Sequence, residues 1–264
     1  DLHNVLRTRV VGFFFAISGV KRVILDKGRA AKRRLVARKK PLPIQPLPTS
    51  FDRYRQVFAR LGFETPKTFR SVFDDKHLPL PLPEGIESRR EGEFWIGVAP
   101  FAKHEGKIYP LDRSESLVAR LSQREDCRVF LMGGGGEEAD LLGGWAEKYP
   151  RVVSLARKRL GFAVELSMMS RMTLVVSMDS ANMHLASMAG TPVVSVWGQT
   201  HPYAGFLGWR QSKENIIQLS DLSCRPCSIF GNKPCYRGDY ACMQELSVER
   251  IWNRVEEILR REKK

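Results

Sequence analysis

Short apolar segments alternate with helix-like segments between residues 93 and 198, and this alternation constrains the fold more than any other feature. The apolar segments have the length of buried strands, and segments of about ten residues with helical character separate them. The expected strands are EFWIGVAP, CRVFLMG, RVVSLA, TLVVSM and PVVSVWG; the expected helices are LDRSESLVARLSQ, with Asp112 or Ser114 as its cap, EEADLLGGWAEKY, GFAVELSMMSR and SANMHLASMAG. Strands and helices in this order form right-handed βαβ units, so we expect an α/β domain with a parallel sheet covered on both faces.

Two proline-rich segments divide the chain before this region. PLPIQPLPTS occupies residues 41–50 and LPLPLPE occupies residues 78–84. Proline at this density cannot continue a helix, so both segments are connections. Between them, the spacing of apolar residues in FDRYRQVFARLGF predicts one helix that ends near Gly62. We expect a first domain with its linker over residues 1–88, a second domain over 89–246 and a C-terminal helix over 247–264.

Positive charge is concentrated at the start of the chain. The net charge is +14, and the first 40 residues hold twelve Lys or Arg against two Asp. Such a cluster attracts polyanions, whether nucleic acid, anionic lipid head groups or a phosphorylated ligand, and a solvated surface with no fixed partner is the alternative. Nucleic acid is disfavoured, because no motif that reads RNA or DNA accompanies the charge and aromatic residues are not interleaved with it.

The first 20 residues contain an apolar run and begin without an initiating Met. No apolar run approaches the ~20 residues that a transmembrane helix needs. VVGFFFAISGV, residues 10–20, is too short to span a bilayer; a secretory signal is the competing interpretation, although a basic segment follows it. The chain has no initiating Met, and its first residues read as the end of a strand that runs into an amphipathic helix. We therefore expect an N-terminal truncation.

Polar residues and glycines follow the expected strands at their carboxyl ends, where ligands bind in doubly wound sheets. They are Lys103, His104 and Lys107; the GGGG run at 133–136 with Glu137 and Glu138; Asp179, Ser180 and Ala181; and Gly198, Gln199 and Thr200. Solvated lysines, a flexible turn, helix caps and a packed His184 are the structural alternatives. Together the residues favour a site: N–H groups at the start of the Ser180 helix bind an anion, two lysines balance its charge and Glu137 binds a ribose-like diol. The ligand indicated is a nucleotide diphosphate.

Several of these segments carry a family resemblance. MDSANMHLASMAGTPVVSVWGQTHP resembles the D-[ST]-G-x-x-H-x-A-x-x-x-G-x-P-x-[VI]-x-[LV]-[FWY]-G-x-T segment of the bacterial ADP-heptose:lipopolysaccharide heptosyltransferases, glycosyltransferase family 9. VFLMGGGGEEADLL is similar to that family's strand, glycine turn and acidic residue, and KIYP to its lysine, aromatic and proline. DLHNVLRT resembles a stretch late in the family's N-terminal domain. The similarity covers most of the chain, and the segment from Asp179 to Thr200 is its specific part.

The resemblance implies a GT-B fold, with two facing Rossmann-like domains built on parallel sheets, of which the first is incomplete here. It implies an inverting glycosyltransferase that moves a heptose from ADP-heptose without a metal cofactor, stabilising the departing diphosphate with cationic groups. The implied roles are Lys107 at the diphosphate with Lys103 beside it, Glu137 at the ribose, Leu160 at the adenine, backbone at Ser180, Ala181 and Asn182 at phosphate oxygens, and Asp179 and His184 at sugar hydroxyls. The family's general base, an Asp, would precede Asp1, so we expect residues 1–264 alone to be inactive.

The acceptor and the exact donor stay open at this stage. The basic first domain fits an acceptor that carries lipid A or inner-core phosphates, which would place the protein in the cytoplasm at the inner face of the bacterial inner membrane. The family usually has glycine at the position of Ala181, and Asn182 is a second departure. A non-catalytic module that binds a nucleotide sugar or a polyanion, and a GT-B transferase with another donor, are the alternatives.

Four of the five cysteines are clustered in the sequence. Cys224, Cys227, Cys235 and Cys242 have the spacing C-x2-C-x7-C-x6-C. Because cytosolic proteins rarely keep disulfides, four clustered thiols suggest a structural tetrahedral zinc site, with buried small residues as the alternative. Cys127 begins an expected strand and is predicted to lie in the core.

Overall fold

The structure is a computed structural model that describes residues 1–40, 42–74, 76–158 and 160–263. It divides into two compact units, Asp1–Phe69 with Pro202–Leu207, and Arg70–His201 with Gly208–Lys264. The division falls earlier in the chain than the expected boundary near residue 88. Residues that follow Phe69 belong to the second unit because they bond to its helices: the Val72 N–H donates to the Met188 carbonyl (2.8 Å) and the Ser167 hydroxyl to the Leu80 carbonyl (3.0 Å).

The second unit is built on a parallel sheet of six strands in the order β3-β2-β1-β4-β5-β6. The strands are β1 (Phe94–Ala99), β2 (Cys127–Leu131), β3 (Val152–Ser154), β4 (Leu174–Met178), β5 (Val193–Val196) and β6 (Ile216–Ile217). The first five are the strands that the apolar segments predict. The strand order reverses between β1 and β4, and a sheet of this kind opens a ligand crevice at that switch point, beyond the carboxyl ends of the two strands.

Helices connect the strands as the alternation predicts. They are α4 (Leu111–Ser122), α5 (Glu137–Lys148), α6 (Phe162–Ser170) and α7 (Ala181–Met188), followed by α8 (Ala241–Gln244) and α9 (Val248–Glu262). Strand residues such as Ile96, Val129 and Leu174 are fully buried between the helices, which is why these strands read as continuous apolar runs. The predicted cap of α4 is wrong: Pro110 precedes the helix without a side-chain cap, and Ser114 is buried inside it.

The C-terminal helix α9 belongs to the core of the second unit. Its apolar face, formed by Ile251, Val255, Ile258 and Leu259, is buried in the same cluster as the strands. Glu256 on its polar face pairs with Arg124. Burial of a whole helix face stabilises the unit in which it packs, so α9 packs as part of the second unit.

The first unit contains α1 (Leu6–Ile17), α2 (Arg29–Leu35) and α3 (Ser50–Arg60). Thr49 caps α3, because its hydroxyl accepts the Asp52 N–H (3.0 Å) while the Asp52 carboxylate accepts the Thr49 N–H (3.2 Å).

No strand is assigned in the described part of the first unit, so the expected parallel sheet is not seen there. Asp1 nevertheless makes two backbone bonds in a parallel-strand pattern: its amino group donates to the Val23 carbonyl (2.8 Å), and its carbonyl accepts the Leu25 N–H (2.9 Å). A strand pair continues over several residues on each side, whereas here Asp1 alone bonds to the segment from Val23 to Leu25.

None of the helices in the described residues is long and apolar enough to cross a lipid bilayer.

Candidate functional site

Two predicted residues meet at the switch point of the sheet. Lys107 ends a short 3-10 turn, Glu105–Lys107, that follows β1, and Asp179 directly follows β4. The Lys107 ammonium lies 3.0 Å from Asp179 Oδ2 and donates to the Asp179 backbone carbonyl (2.9 Å). Their side chains are 16% and 5% exposed. The predicted cation and carboxylate therefore form a sheltered ion pair at the edge where a ligand is expected.

The start of α7 lies directly after this pair. Ser180 is the N-cap residue in extended backbone, and its side chain makes no capping hydrogen bond. Its hydroxyl instead lies 3.3 Å from the Ser177 hydroxyl. The first N–H groups of a helix have no partner within the helix and carry partial positive charge, so they suit an anion. Ala181 is exposed and Asn182 half-buried, so the predicted backbone groups lie at an open helix end.

Asp179 is not the N-cap residue of this helix. The cap position is Ser180, and the Asp179 carboxylate faces Lys107. The nearly buried Asp179 carboxylate is thus paired with a lysine side chain.

His184 lies one turn further along α7 and is within electrostatic range of the ion pair. Burial lowers the pKa of His184; the negative charge of Asp179 opposes this shift and the positive charge of Lys107 adds to it. The imidazole is therefore neutral at neutral pH, where it can both donate and accept a hydrogen bond. That state suits contact with a hydroxyl better than contact with a phosphate.

The remaining predicted residues follow β1, β2 and β3 at the same edge of the sheet. Glu137, the first residue of α5, is exposed, whereas Glu138 closes the glycine turn by accepting the Gly134 N–H (2.6 Å). Lys103 is exposed and Leu160 is half-buried. Among the described residues these three predicted side chains make no hydrogen bond to Lys107 or Asp179. The structure thus brings Lys107 and Asp179 together, and it leaves Lys103 and Leu160 on loops and Glu137 at the start of α5.

The sequence analysis missed two residues in contact with Lys107 or in its turn, and one residue at the end of β5, to which that turn is bonded. Gly106 accepts the Gln199 N–H through its carbonyl (2.9 Å), Gly231 packs against the lysine stem, and Arg225 holds the end of β5. Arg225 and Gly231 lie far from Lys107 in sequence, within the segment from Cys224 to Cys242, whose spacing predicts a metal site and not a contact with Lys107. The sequence therefore contains no signal that links them to the site.

A zinc site of the kind that the cysteine spacing predicts is not seen among the described residues. All five cysteines are reduced, and across the described ranges no group of three or more His, Cys, Asp or Glu is arranged to hold a metal ion. Burial raises the pKa of Cys242 to about 12 and that of Cys127 to about 11.

Comparisons with solved structures show the same fold. The E. coli heptosyltransferase WaaC with ADP is 19% identical with a TM-score of 0.57, over 83% of this chain and 59% of that one. The family 9 glycosyl transferase from Veillonella parvula is 17% identical with a TM-score of 0.55, over 85% and 61%. E. coli ADP-heptose lps heptosyltransferase II is 16% identical with a TM-score of 0.52, over 68% and 50%. The chain thus spans about half to three fifths of these proteins.

The comparisons with family models and curated proteins differ in outcome. No curated protein matches the sequence. The model of glycosyltransferase family 9 (heptosyltransferase) matches residues 4–233, which is most of the chain. The expected α/β fold of GT-B type agrees with the parallel sheet and with the solved heptosyltransferases. This chain belongs to glycosyltransferase family 9.

Proposed function

We propose that the protein is an inverting glycosyltransferase that moves a heptose from ADP-heptose to an acceptor of the lipopolysaccharide inner core. The observation that carries the proposal is the sheltered Lys107–Asp179 pair at the open N-terminus of α7. The solved relatives named above include one with ADP, and another structure of WaaC contains ADP-2-deoxy-2-fluoro heptose. Membership of family 9 adds support for a sugar-nucleotide donor.

In the proposed reaction, positively charged groups of the protein bind the negatively charged diphosphate of the donor. The diphosphate lies on the N–H groups at Ser180, Ala181 and Asn182, and Lys107 turns from Asp179 to a phosphate oxygen. An acceptor hydroxyl attacks the anomeric carbon from the face opposite the diphosphate and gives its proton to a general base. As the bond between the sugar and the diphosphate breaks, negative charge grows on the leaving group, and a fixed cation together with a helix N-terminus stabilises that charge. No metal ion is needed for this step.

Once Lys107 has turned to the phosphate, the Asp179 carboxylate is available to bind the sugar. Asp179 accepts hydrogen bonds from heptose hydroxyls, and neutral His184 bonds to a further hydroxyl. Lys103 adds positive charge near the diphosphate, Glu137 binds the ribose diol and Leu160 borders the adenine. Exposure of Lys103 and Glu137 is consistent with groups that close on a ligand.

The first unit is proposed to hold a phosphorylated acceptor, lipid A or inner-core phosphates, at the cytoplasmic face of the inner membrane. Twelve of its first 40 residues are Lys or Arg. Burial, together with the nearby charges of Arg53 and Lys27, lowers the pKa of Lys32, so cations crowd one another there. A phosphate would relieve this repulsion, and anionic lipid head groups would add a weaker peripheral attraction.

Calorimetry tests the donor assignment. The protein is titrated with ADP-heptose, ADP and sugar nucleotides with another base or another sugar, and binding of ADP-heptose and ADP above the others is expected. A transfer assay with a phosphorylated inner-core acceptor and its phosphatase-treated form then tests the acceptor. Binding without transfer by the full-length protein would favour a binding module, and tighter binding of another sugar nucleotide would favour a different donor.

A further inference from the structure

The turn that carries Lys107 is attached to the end of β5. The Gln199 N–H donates to the Gly106 carbonyl (2.9 Å), so the loop after β1 reaches past β4 to the next strand. A methyl group on Gly106 would overlap the Gln199 side chain, which would have to move to admit another residue. The β5 end is therefore hydrogen-bonded directly to the residue that precedes Lys107.

A second contact fixes the stem of Lys107. A methyl group on Gly231 would lie 2.6 Å from Lys107 Cγ, and the φ of Gly231 is +73°, which other residues rarely adopt. The Gly231 N–H donates to the Ser228 hydroxyl (2.9 Å), which orients the glycine. The segment from Arg225 to Gly231 is thus in close contact with the aliphatic part of Lys107.

Arg225 connects these two contacts. Its guanidinium is buried and donates to the backbone carbonyls of Trp197 (3.0 Å) and Thr200 (3.0 Å), and also to that of Gly198. The Gln199 carbonyl, inside this segment, accepts the Cys227 (3.1 Å) and Ser228 (3.3 Å) N–H groups. One buried cation therefore holds the β5 end together with the segment that reaches Gly231.

The chemistry of Arg225 favours a role beyond packing. A buried charge is costly unless it is paired, and the bonds of Arg225 go to carbonyl oxygens and to the Gln218 side-chain oxygen (3.1 Å). Its planar fork of donors can hold several carbonyls in fixed positions, which a lysine cannot do. Such a group suits a place where the end of a strand must be held rigidly.

We propose that Arg225 is a positioning residue that fixes Lys107 for contact with the diphosphate of the donor. It acts through the Gly198–Thr200 segment on one side of Lys107 and through Gly231 on the other. The inference rests on the proposed function of Lys107 and adds the residue that fixes the position of its ammonium group.

A double-mutant cycle with ADP tests the proposal. Lys107→Met is expected to weaken ADP binding about 10- to 100-fold, the range for a lost charged hydrogen bond, and Arg225→Lys about tenfold, because the charge stays while the fork is lost. The double variant is expected to bind ADP no more weakly than Lys107→Met, because Arg225 acts only through Lys107. Loss of fold stability alone would not produce this dependence.

Arg254→Lys is the matched control. Arg254 is also sheltered, with 12% of its side chain exposed, and it bonds to Asn215 (2.7 Å) and Glu214 (3.0 Å) rather than to the β5 end. Its variant is expected to lower the melting temperature without changing ADP affinity. If Arg225→Lys fails to fold, Gly231→Ala displaces the Lys107 stem from the other side and is expected to show the same dependence on Lys107.

Three outcomes would overturn the positioning role. They are additive losses in the double variant, an unchanged ADP affinity in Arg225→Lys, and an equal loss of affinity in Arg254→Lys. An unchanged affinity in Lys107→Met would instead contradict the proposed function of Lys107 itself, so the two failures are distinguishable.

Discussion

Asp179→Asn is the substitution whose effect the geometry predicts in most detail. Asn keeps one acceptor oxygen and replaces the other by an amide, which removes the charge that faces Lys107 at 3.0 Å. Both side chains are sheltered, so the lost ion pair is expected to lower the free energy of unfolding. Because Lys107 keeps its 2.9 Å bond to the Asp179 carbonyl, the loss should be about 1–3 kcal/mol, below the range for a fully orphaned buried charge.

The effect on ligands should depend on the sugar. If Asp179 accepts hydrogen bonds from heptose hydroxyls, loss of one charged bond costs roughly 1.5–3 kcal/mol, which is about a 10- to 100-fold weaker affinity for ADP-heptose. ADP has no heptose and is expected to bind the variant as tightly as the parent or more tightly, because Lys107 no longer has to leave a carboxylate.

Calorimetry with ADP and ADP-heptose, together with urea unfolding, measures all three quantities. Asp112→Asn, an exposed acidic residue in the first turn of α4, is the matched control and should change none of them. An equal loss of affinity for both ligands would show that Asp179 organises the phosphate site instead. No loss for either ligand would refute the assignment of Asp179 to the sugar.

Three further predictions concern pH and salt. Burial lowers the pKa of His184 below 6.5 in the folded state, so the unfolded state takes up a proton first as the pH falls. The free energy of unfolding should therefore decrease as the pH drops below 6.5 through the folded pKa. Urea unfolding at several pH values should show a smaller decrease in His184→Asn. Burial opposes ionisation of Asp126, yet hydrogen bonds from Arg124 and Lys263 lower its pKa to about 2. This carboxylate should stabilise the fold above pH 3.8 and lose its contribution between pH 3.8 and about 2. In an acid titration of stability, Asp126→Asn should not show this decrease. Binding of a phosphorylated acceptor should weaken with added salt more than binding of ADP-heptose, because exposed charges are screened over about 8 Å at physiological ionic strength, and an equal salt dependence would contradict this division.

The sequence predicted the second unit well because its signals are local. Each buried strand reads as an apolar run, and parallel topology brings the carboxyl ends of neighbouring strands together, so Lys107 and Asp179 could be placed at one edge. The β6 strand was missed because two residues, Ile216–Ile217, are too few to form a pattern.

Long-range contacts account for most of what was not predicted. The contacts of Gly231 with Lys107 and of Arg225 with the β5 end join distant segments, so no local spacing reveals them. The boundary between the units lies earlier than expected. The proline-rich composition of residues 78–84 suggests a linker, but it does not reveal that Val72 and Leu80 hydrogen-bond to helices of the second unit. Cysteine spacing suggested zinc, but spacing does not determine whether side chains are arranged to hold a metal ion, and no such arrangement is seen among the described residues.

A crystal structure of the protein with ADP-heptose tests the central claim most directly. We expect diphosphate oxygens within hydrogen-bond distance of the Lys107 ammonium and of the first N–H groups of α7, with the Lys107–Asp179 pair opened and Asp179 bonded to heptose hydroxyls. A complex in which Lys107 stays on Asp179 while the diphosphate lies elsewhere would contradict the account.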